Sequence, residues 1–228
     1  MPRYVIDPLP AAAIPVAGNG ALFPVRRVYC IGRNYAAHAQ EMGHDPDREP
    51  PFFFQKNADN LDPSGVFPYP PGTNEVHHEV ELAVALQSGG ADIPAGRALD
   101  HVHGYAVALD MTRRDLQGEA KRLGRPWEIG KAFERSAPIG PLVPAAAIGH
   151  PDRGRIMLSV NGTVRQEGDL GQMIWTLPEI IAHLSAHFTL AAGDVILTGT
   201  PAGVGPVRPG DRIEAAIEGV GTLAVTVV

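Results

Sequence analysis

The sequence is poor in cysteine, in charged residues and in long hydrophobic runs. A single cysteine, Cys30, stands among 228 residues, so the chain cannot form an internal disulfide. Charged residues make up only 19%, with a net charge of −6 and no block of basic residues, which argues against nucleic acid or an anionic membrane as a partner. No segment approaches the roughly 18 consecutive apolar residues of a membrane helix.

Glycine and proline are abundant instead, with 26 and 22 residues. Both interrupt helices and strands, so this excess predicts many turns and excludes a helical bundle or a coiled coil. Hydrophobic residues make up 44%, which is enough for a packed core. Short apolar segments between turns predict a mainly β domain with a few helices, of the α+β class.

The chain divides into a short leading segment and one larger domain. Residues 1–25 are predicted to form an N-terminal arm or an edge hairpin, and residues 26–228 the main domain. The first 18 residues contain an aspartate and four prolines, a composition that is not typical of a signal peptide. We therefore expect a cytoplasmic protein.

Residues 76–86 (VHHEVELAVAL) give the clearest strand pattern. Side chains alternate between the two faces of a strand, so His78, Val80, Leu82, Val84 and Leu86 share one face. The second face carries His77, Glu79, Glu81, Ala83 and Ala85. The pattern predicts that one face packs in the core and that the other brings two carboxylates together.

Other segments have equally local signals. Residues 34–42, 112–123 and 177–188 are predicted helices, the last with Pro178 in its first turn. Asn161-Gly162 lies between two strand-like segments and predicts the turn of a hairpin over residues 155–168.

Three acidic residues form a candidate metal site. Glu79 and Glu81 lie on one face of an apolar strand, and Asp110 ends a second apolar strand (HGYAVALD). Buried carboxylates need a partner or a metal, and hard divalent cations prefer oxygen ligands. The alternative is a surface strand on which the two glutamates are simply solvated.

His38 and Glu41 form a candidate catalytic pair. On a helix, side chains three positions apart are neighbours, so the carboxylate can orient the imidazole and raise its basicity. That arrangement is typical of a general base. The alternative is an ordinary exposed helical turn.

The ordered set of motifs resembles the fumarylacetoacetate hydrolase family, most closely its small prokaryotic branch with fumarylpyruvate hydrolases and acylpyruvases. The similarity extends over nearly all of residues 26–228. The matching segments are IGRNYAAHAQEMG (31–43), PFFFQKNADN (51–60), HHEVELAVAL (77–86), GYAVALDMTRRDLQ (104–117), PWEIGKAFERSAPIGP (126–141), LSVNGTVRQEGD (158–169) and LTGTPAGVGPV (197–207).

The resemblance implies a fold and a set of site residues. The fold would be a mixed β-sandwich roll, usually dimeric, with Mg²⁺ or Mn²⁺ held by Glu79, Glu81 and Asp110. His38 and Glu41 would form the catalytic dyad on a segment that orders over substrate, and Lys131 would be a further catalytic residue. The substrate-binding positions would be Arg33, Lys56, Arg114, Gln117 and Thr200.

The resemblance also implies a reaction, the hydrolysis of a carbon–carbon bond in a 2,4-diketo acid. The expected substrate is fumarylpyruvate, cleaved to fumarate and pyruvate in the breakdown of aromatic compounds. The alternatives within the family are an acylpyruvase, an oxaloacetate decarboxylase, and an isomerase or decarboxylase of a ring-cleavage dicarboxylate. An alternative of another class is a binding module in which the metal is only structural.

Overall fold

Strands make up most of the regular structure. The computed structural model describes residues 4–7, 9–41 and 50–228, with the backbone alone at residues 39–41. In chain order the strands are β1 (Ala13–Pro15), β2 (Leu22–Pro24), β3 (Arg27–Gly32), β4 (Phe52–Lys56), β5 (Leu61–Asp62), β6 (Val66–Phe67), β7 (Val76–His78), β8 (Val80–Leu86), β9 (Val102–Leu109), β10 (Thr112–Arg113), β11 (Ala137–Pro138), β12 (Val143–Pro144), β13 (Arg155–Val160), β14 (Thr163–Asp169), β15 (Asp194–Leu197), β16 (Gly205–Val207), β17 (Arg212–Ile217) and β18 (Gly221–Val227).

The helices are short and lie between the strands. The α-helices are α1 (Ala36–Glu41), α2 (Arg114–Arg122), α3 (Glu128–Lys131), α4 (Ala145–Ile148) and α5 (Leu177–His187), and 3-10 turns occur at Ala58–Asn60, Ala95–His101 and Leu170–Gln172. The predicted class, mainly β with a few helices, is confirmed. Within the described residues, no helix is long and apolar enough to cross a membrane.

A six-stranded sheet forms the centre of the fold. Its strand order is β12-β9-β8-β15-β3-β4, with β15 and β3 parallel and the other neighbours antiparallel. All seven residues of β8 are buried, because both of its edges are paired and both of its faces are covered.

The two faces of this sheet pack in different cores. Leu82 and Val84 face the larger core, which also contains residues of α5 and of a five-stranded sheet. That sheet has the order β14-β13-β17-β18-β6. Ala83 and Ala85 face a smaller core with Ile14 of the β1–β2 hairpin. The face predicted to carry the carboxylates is therefore buried as well.

Local signals account for several elements. Helix α5 begins after Thr176, whose hydroxyl and backbone N–H both contact the Glu179 carboxylate, at 2.7 and 2.9 Å. Strands β13 and β14 pair antiparallel across Asn161-Gly162, both with positive φ, as a type I′ hairpin turn requires.

The predicted strand over residues 76–86 is interrupted at Glu79. β7 pairs with β10 and β16 in a three-stranded sheet, whereas β8 pairs with β9 and β15. At the break, the Val80 N–H donates to Gln166 Oε1 at 3.1 Å, and the Glu79 carbonyl accepts from Asp110 N–H at 2.8 Å. The chain passes from one sheet to the other at this point, because these two hydrogen bonds take the place of the strand-to-strand hydrogen bonds of a continuous strand. The predicted helix over 112–123 is shorter for a similar reason, since Thr112–Arg113 pair with β7.

Candidate active site

Nine of the eleven predicted site residues line one cavity where β3, β8 and β9 come close to α1, α2 and α3. Side chains of both charges and several aromatic rings line it. The lining residues are Ile31, Gly32, Arg33, His38, Phe54, Glu79, Glu81, Asp110, Arg114, Gln117, Lys121, Trp127, Lys131 and Thr200.

Three carboxylates form the base of the cavity. Glu79 immediately precedes β8, Glu81 is its second residue, and Asp110 follows the end of the antiparallel strand β9, so the pairing of these strands sets the three side by side. Each offers an oxygen, and these oxygens all lie within 4.8 Å of one another. All three residues are buried, with exposed fractions of 5%, 2% and 0%.

Two of the carboxylates are paired with buried cations. Lys131 Nζ donates to Glu79 Oε2 at 2.8 Å and to Asp110 Oδ2 at 2.7 Å. Arg114 forms an ion pair with the other oxygen of Glu79. On the far side, Lys56 Nζ lies 2.9 Å from Asp110 Oδ1. Burial would raise the pKa of Glu79, but Lys131, Arg114 and His38 outweigh it and hold that pKa well below its usual value.

Glu81 differs because no cation pairs with it among the described residues. Burial raises its pKa well above the usual value, and the carboxylates of Asp110 and Glu79 raise it further. Its Oε2 accepts one hydrogen bond, from the Gly199 N–H at 2.8 Å. Asp110 Oδ1 accepts no well-directed hydrogen bond in the described part of the chain, although Lys56 is near. Oxygen atoms that lack full compensation fit a hard divalent cation.

His38 lies beside this group on α1. It is 7% exposed and lines the cavity, close enough to Glu79 that a protonated imidazole lowers the pKa of that carboxylate. Asn34 anchors the segment that leads into the helix, because its side chain bonds both the N–H and the C=O of Trp175, at 2.7 and 3.0 Å. Glu41 belongs to α1, but its side chain lies outside the described residues.

Arg114 and Gln117 lie on the cavity wall at the start of α2. The Arg114 guanidinium donates to Gln117 Oε1 at 2.7 Å and, through Nε, to His77 Nδ1 at 3.3 Å. His77 Nε2 lies 2.8 Å from Glu75 Oε1, so the imidazole is itself held in place. These contacts fix the direction in which Arg114 points.

Thr200 is held by a residue that sequence reasoning missed. Gln166 Nε2 donates to Thr200 Oγ1 at 2.8 Å, while Gln166 Oε1 is 2.9 Å from His78 Nδ1. The amide thus ties β14 to the cavity loop and to β7. Nothing in the VRQEG segment distinguishes this glutamine from a solvent-facing one, so only the packing identifies it.

Two predicted substrate-binding residues have different surroundings. Arg33 lines the cavity, whereas Lys56 does not. The Lys56 ammonium is fully buried behind Asp110, where it also donates to Ser136 Oγ at 2.9 Å and to the Lys131 carbonyl. Sequence reasoning also missed Lys121 and Trp127, both on the cavity wall. The only signal for Trp127 was its place four residues before Lys131, and Lys121 had no signal beyond its place on a predicted helix.

Several proteins of known structure are similar to this chain along most of its length. The chain resembles the crystal structure of fumarylpyruvate hydrolase from Pseudomonas aeruginosa in complex with Mn²⁺ and pyruvate, with 52% identity, a TM-score of 0.97 and 99% of each chain covered. It also resembles the 5-carboxymethyl-2-hydroxymuconate delta-isomerase from Mycobacterium smegmatis, with 35% identity, a TM-score of 0.80, and 91% of this chain and 80% of the other covered.

Curated relatives carry another activity in their names. The mitochondrial oxaloacetate tautomerase FAHD1 of Homo sapiens is 42% identical over 194 residues, covering 85% of this chain and 88% of the relative. The family model described as fumarylacetoacetate (FAA) hydrolase, C-terminal, matches residues 27–228. The chain therefore belongs to the fumarylacetoacetate hydrolase family.

Proposed function

We propose that this protein hydrolyses a carbon–carbon bond of a 2,4-diketo acid, with fumarylpyruvate as substrate and fumarate and pyruvate as products. The observation that supports this most directly is the 52% identity and TM-score of 0.97 to a fumarylpyruvate hydrolase crystallised with Mn²⁺ and pyruvate. The buried carboxylates and the cations around them are the chemical groups that such a reaction needs.

Glu79, Glu81 and Asp110 would hold Mg²⁺ or Mn²⁺. Their oxygens lie close enough together, and the incomplete compensation at Glu81 and at Asp110 Oδ1 fits a cation. When bound, the metal supplies a Lewis acid for the 2-oxo acid end of the substrate and stabilises negative charge there.

His38 would act as the general base, with Glu41 orienting its imidazole. The imidazole takes a proton from water, and the water oxygen adds to the C4 carbonyl carbon of the diketo acid. The bond between C3 and C4 then breaks, and its electron pair stays on C3. The resulting enolate of pyruvate takes up a proton at C3, and C4 becomes the new carboxylate of fumarate.

The Lys131 ammonium would stabilise the negative charge that develops on the attacked carbonyl oxygen. Burial lowers the pKa of this ammonium, but Asp110 and Glu79 outweigh that effect and raise it. Lys131 therefore stays charged at neutral pH. Arg114, Gln117 and Thr200 would bind the 2-oxo acid end, and Arg33 is a further residue of the cavity wall.

Oxaloacetate tautomerisation is the second candidate, because several curated relatives at 42–44% identity are named for it. In that reaction a proton moves between C3 and the 2-oxo oxygen and no water is added. Decarboxylation of oxaloacetate, or isomerisation of a ring-cleavage product, would use the same carboxylates.

A substrate panel separates these candidates. Fumarylpyruvate, acetylpyruvate and oxaloacetate are incubated with the protein and Mg²⁺ or Mn²⁺, while diketone absorbance, enol absorbance and released CO₂ are followed. We expect loss of the fumarylpyruvate diketone signal, with fumarate and pyruvate formed in equal amounts. Turnover of oxaloacetate alone would refute the hydrolase assignment in favour of a tautomerase or decarboxylase.

The His38→Ala variant tests the base. We expect hydrolysis to fall by about 100- to 10,000-fold, the usual contribution of a general base, while Mn²⁺ binding measured by calorimetry is retained. His150→Ala is a suitable control, because His150 lines a different cavity. Hydrolysis that survives in His38→Ala would refute the assignment.

A further inference from the structure

Two cations on the cavity wall, Arg33 and Lys121, have no acidic partner among the described residues and are called the outer cations here, because neither forms an ion pair with the three carboxylates. Arg33 follows β3 and lies over the Phe52 ring, with 5.8 Å from its guanidinium carbon to the ring centroid. Lys121 lies in the last turn of α2, with Nζ 4.7 Å from the centroid of the Trp127 ring. Of the three cavity carboxylates, Glu79 and Asp110 form their ion pairs with Lys56, Arg114 and Lys131 instead.

The outer cations differ from the three cations near the carboxylates in how far their charge is compensated. Lys56, Lys131 and Arg114 each contact a carboxylate, so their charges are compensated. Burial, together with the positive charges of Arg114 and Arg33, lowers the pKa of Lys121 to about 8. Cations that repel one another in a half-buried site cost free energy until an anion binds between them.

Aromatic rings hold this pair in position. Trp127 packs against Phe52 with ring centroids 4.9 Å apart and against Phe54 at 5.8 Å. Phe54 in turn lies 4.9 Å from Lys131 Nζ, so the aromatic wall runs from the outer cations to the carboxylates. Such a wall suits a flat, unsaturated carbon segment better than a hydrated one.

We propose that Lys121 and Arg33 recognise the second carboxylate of a substrate that is anionic at both ends. The 2-oxo acid end of the substrate lies at Arg114 and at the metal site formed by the three carboxylates. The unsaturated segment lies along Phe54 and Trp127. The distal carboxylate accepts hydrogen bonds from Lys121 and Arg33. This inference rests on the proposed function and adds to it the residues that make the protein prefer a dicarboxylate substrate over a monocarboxylate. Lys121 is a specificity residue in this scheme.

The test compares Lys121→Met with the wild type on fumarylpyruvate, which has two carboxylates, and on acetylpyruvate, which has one. A charge-assisted hydrogen bond is worth about 1.5–3 kcal/mol, so we expect kcat/KM for fumarylpyruvate to fall about 10- to 100-fold, mainly through KM. The value for acetylpyruvate should stay within about twofold, because that substrate lacks the group.

Two variants serve as controls. Lys121→Arg keeps the charge and should retain most of the preference for fumarylpyruvate. Arg122→Met removes a charge from the exposed neighbouring position on α2 and should leave both substrates unaffected. Equal losses on both substrates, or no loss on either, would overturn the role of Lys121. A wild type that hydrolyses neither substrate would instead contradict the proposed function.

A binding measurement does not depend on turnover. Fumarate and crotonate differ by one carboxylate, and both can be titrated into the Mn²⁺-loaded protein in a calorimeter. The wild type should bind fumarate with a Kd at least about 10-fold lower than that for crotonate, and Lys121→Met should lose that difference. A difference that persists in Lys121→Met would place recognition of the second carboxylate elsewhere.

Discussion

At the scale of single residues, buried charges determine how the cavity is built. Lys56 and Asp110 have no exposed side-chain surface, and Lys131 links Asp110 to Glu79. Removing one partner of a buried ion pair leaves the other charge without compensation, which costs much more than the pair itself contributes. These residues therefore affect folding as well as chemistry.

We expect Lys56→Met to lower the free energy of unfolding by about 3–5 kcal/mol, because the Asp110 carboxylate loses a buried ion-pair partner and the Lys131 carbonyl loses a buried donor. Urea denaturation measures the change. Arg97→Met is the matched control: the Arg97–Asp100 ion pair is exposed, and its loss should cost less than about 1 kcal/mol. A similar loss of unfolding free energy in the two variants would show that the buried ion pair matters no more for stability than the exposed one.

The lowered pKa of Lys121 predicts a pH effect on substrate choice. The cation is present below pH about 8 and is lost above it, so kcat/KM for fumarylpyruvate should fall as pH rises through that value. Arg33, Arg114, Lys131 and Glu79 are the charged groups that influence it. Lys121→Arg should move the decline to higher pH, and acetylpyruvate should not show it. The same decline with both substrates would assign it to another group.

At the scale of secondary-structure elements, close backbone approaches place the side chains. Gly130 in α3 lies against α2, and a Cβ there would be 2.9 Å from Gln117 N, so the glycine lets Lys131 and Gln117 share one cavity. Gly199 has φ +98°, and its N–H donates to Glu81 while a Cβ would lie 2.7 Å from Asn34 Cβ. The loop after β15 thus connects the carboxylates with the segment that carries His38.

Gly199→Ala should destabilise the protein and weaken Mn²⁺ binding, since the loop must move away from Asn34 and from Glu81. Gly210→Ala is the matched control, with φ +94° but no atom within 4 Å of the added Cβ. It should cost only the left-handed strain of about 1–2 kcal/mol and leave Mn²⁺ affinity unchanged. Thermal melting and calorimetry measure the two effects. Equal metal affinities in both variants would contradict the role of the loop.

At the scale of the whole molecule, two sheets and the cavity loops depend on one another. Gln166 of β14 contacts His78, Val80 and Thr200, so the five-stranded sheet supports both halves of the interrupted strand. Glu79 lies at the interruption that Gln166 supports, and Glu81 and Asp110 lie beside it. Metal binding should therefore stabilise the entire fold rather than a single loop.

Metal addition should raise the melting temperature. At a free Mn²⁺ concentration about 100 times Kd, linkage gives about 2.7 kcal/mol, and for a chain of this size each kcal/mol raises Tm by about 2–4 °C. A chelator should reverse the shift, and Glu81→Gln should reduce it. A protein that melts at higher temperature with Mn²⁺ yet acts on none of the substrates would support the binding-module alternative.

The predicted homodimer has a direct test in light scattering. We expect twice the 24.2 kDa mass of the chain. Tyr4, Val5, Ile6 and Leu9 are apolar and exposed in the single chain, which is consistent with contact to a second copy. A monomeric mass at micromolar concentration would refute the prediction.

The sequence by itself determined the elements whose signals are local. Asn161-Gly162 requires only its own backbone geometry to turn a hairpin, and Thr176 with Glu179 caps α5 within one turn. Glu79, Glu81 and Asp110 could be predicted as a group because strand alternation and the ends of apolar strands are visible along the chain. The family motifs then indicated the reaction.

Only the tertiary structure decided the rest. The break at Glu79 depends on hydrogen bonds from Asp110 and Gln166, which are distant in sequence. The same is true of the two lysines: Lys56 lies behind Asp110, whereas Lys121 lies over Trp127 on the cavity wall. The local sequence around a lysine does not show whether it is buried behind a carboxylate or lies on a cavity wall. That difference depends on which elements pack together in the tertiary structure, because those elements supply the surrounding side chains.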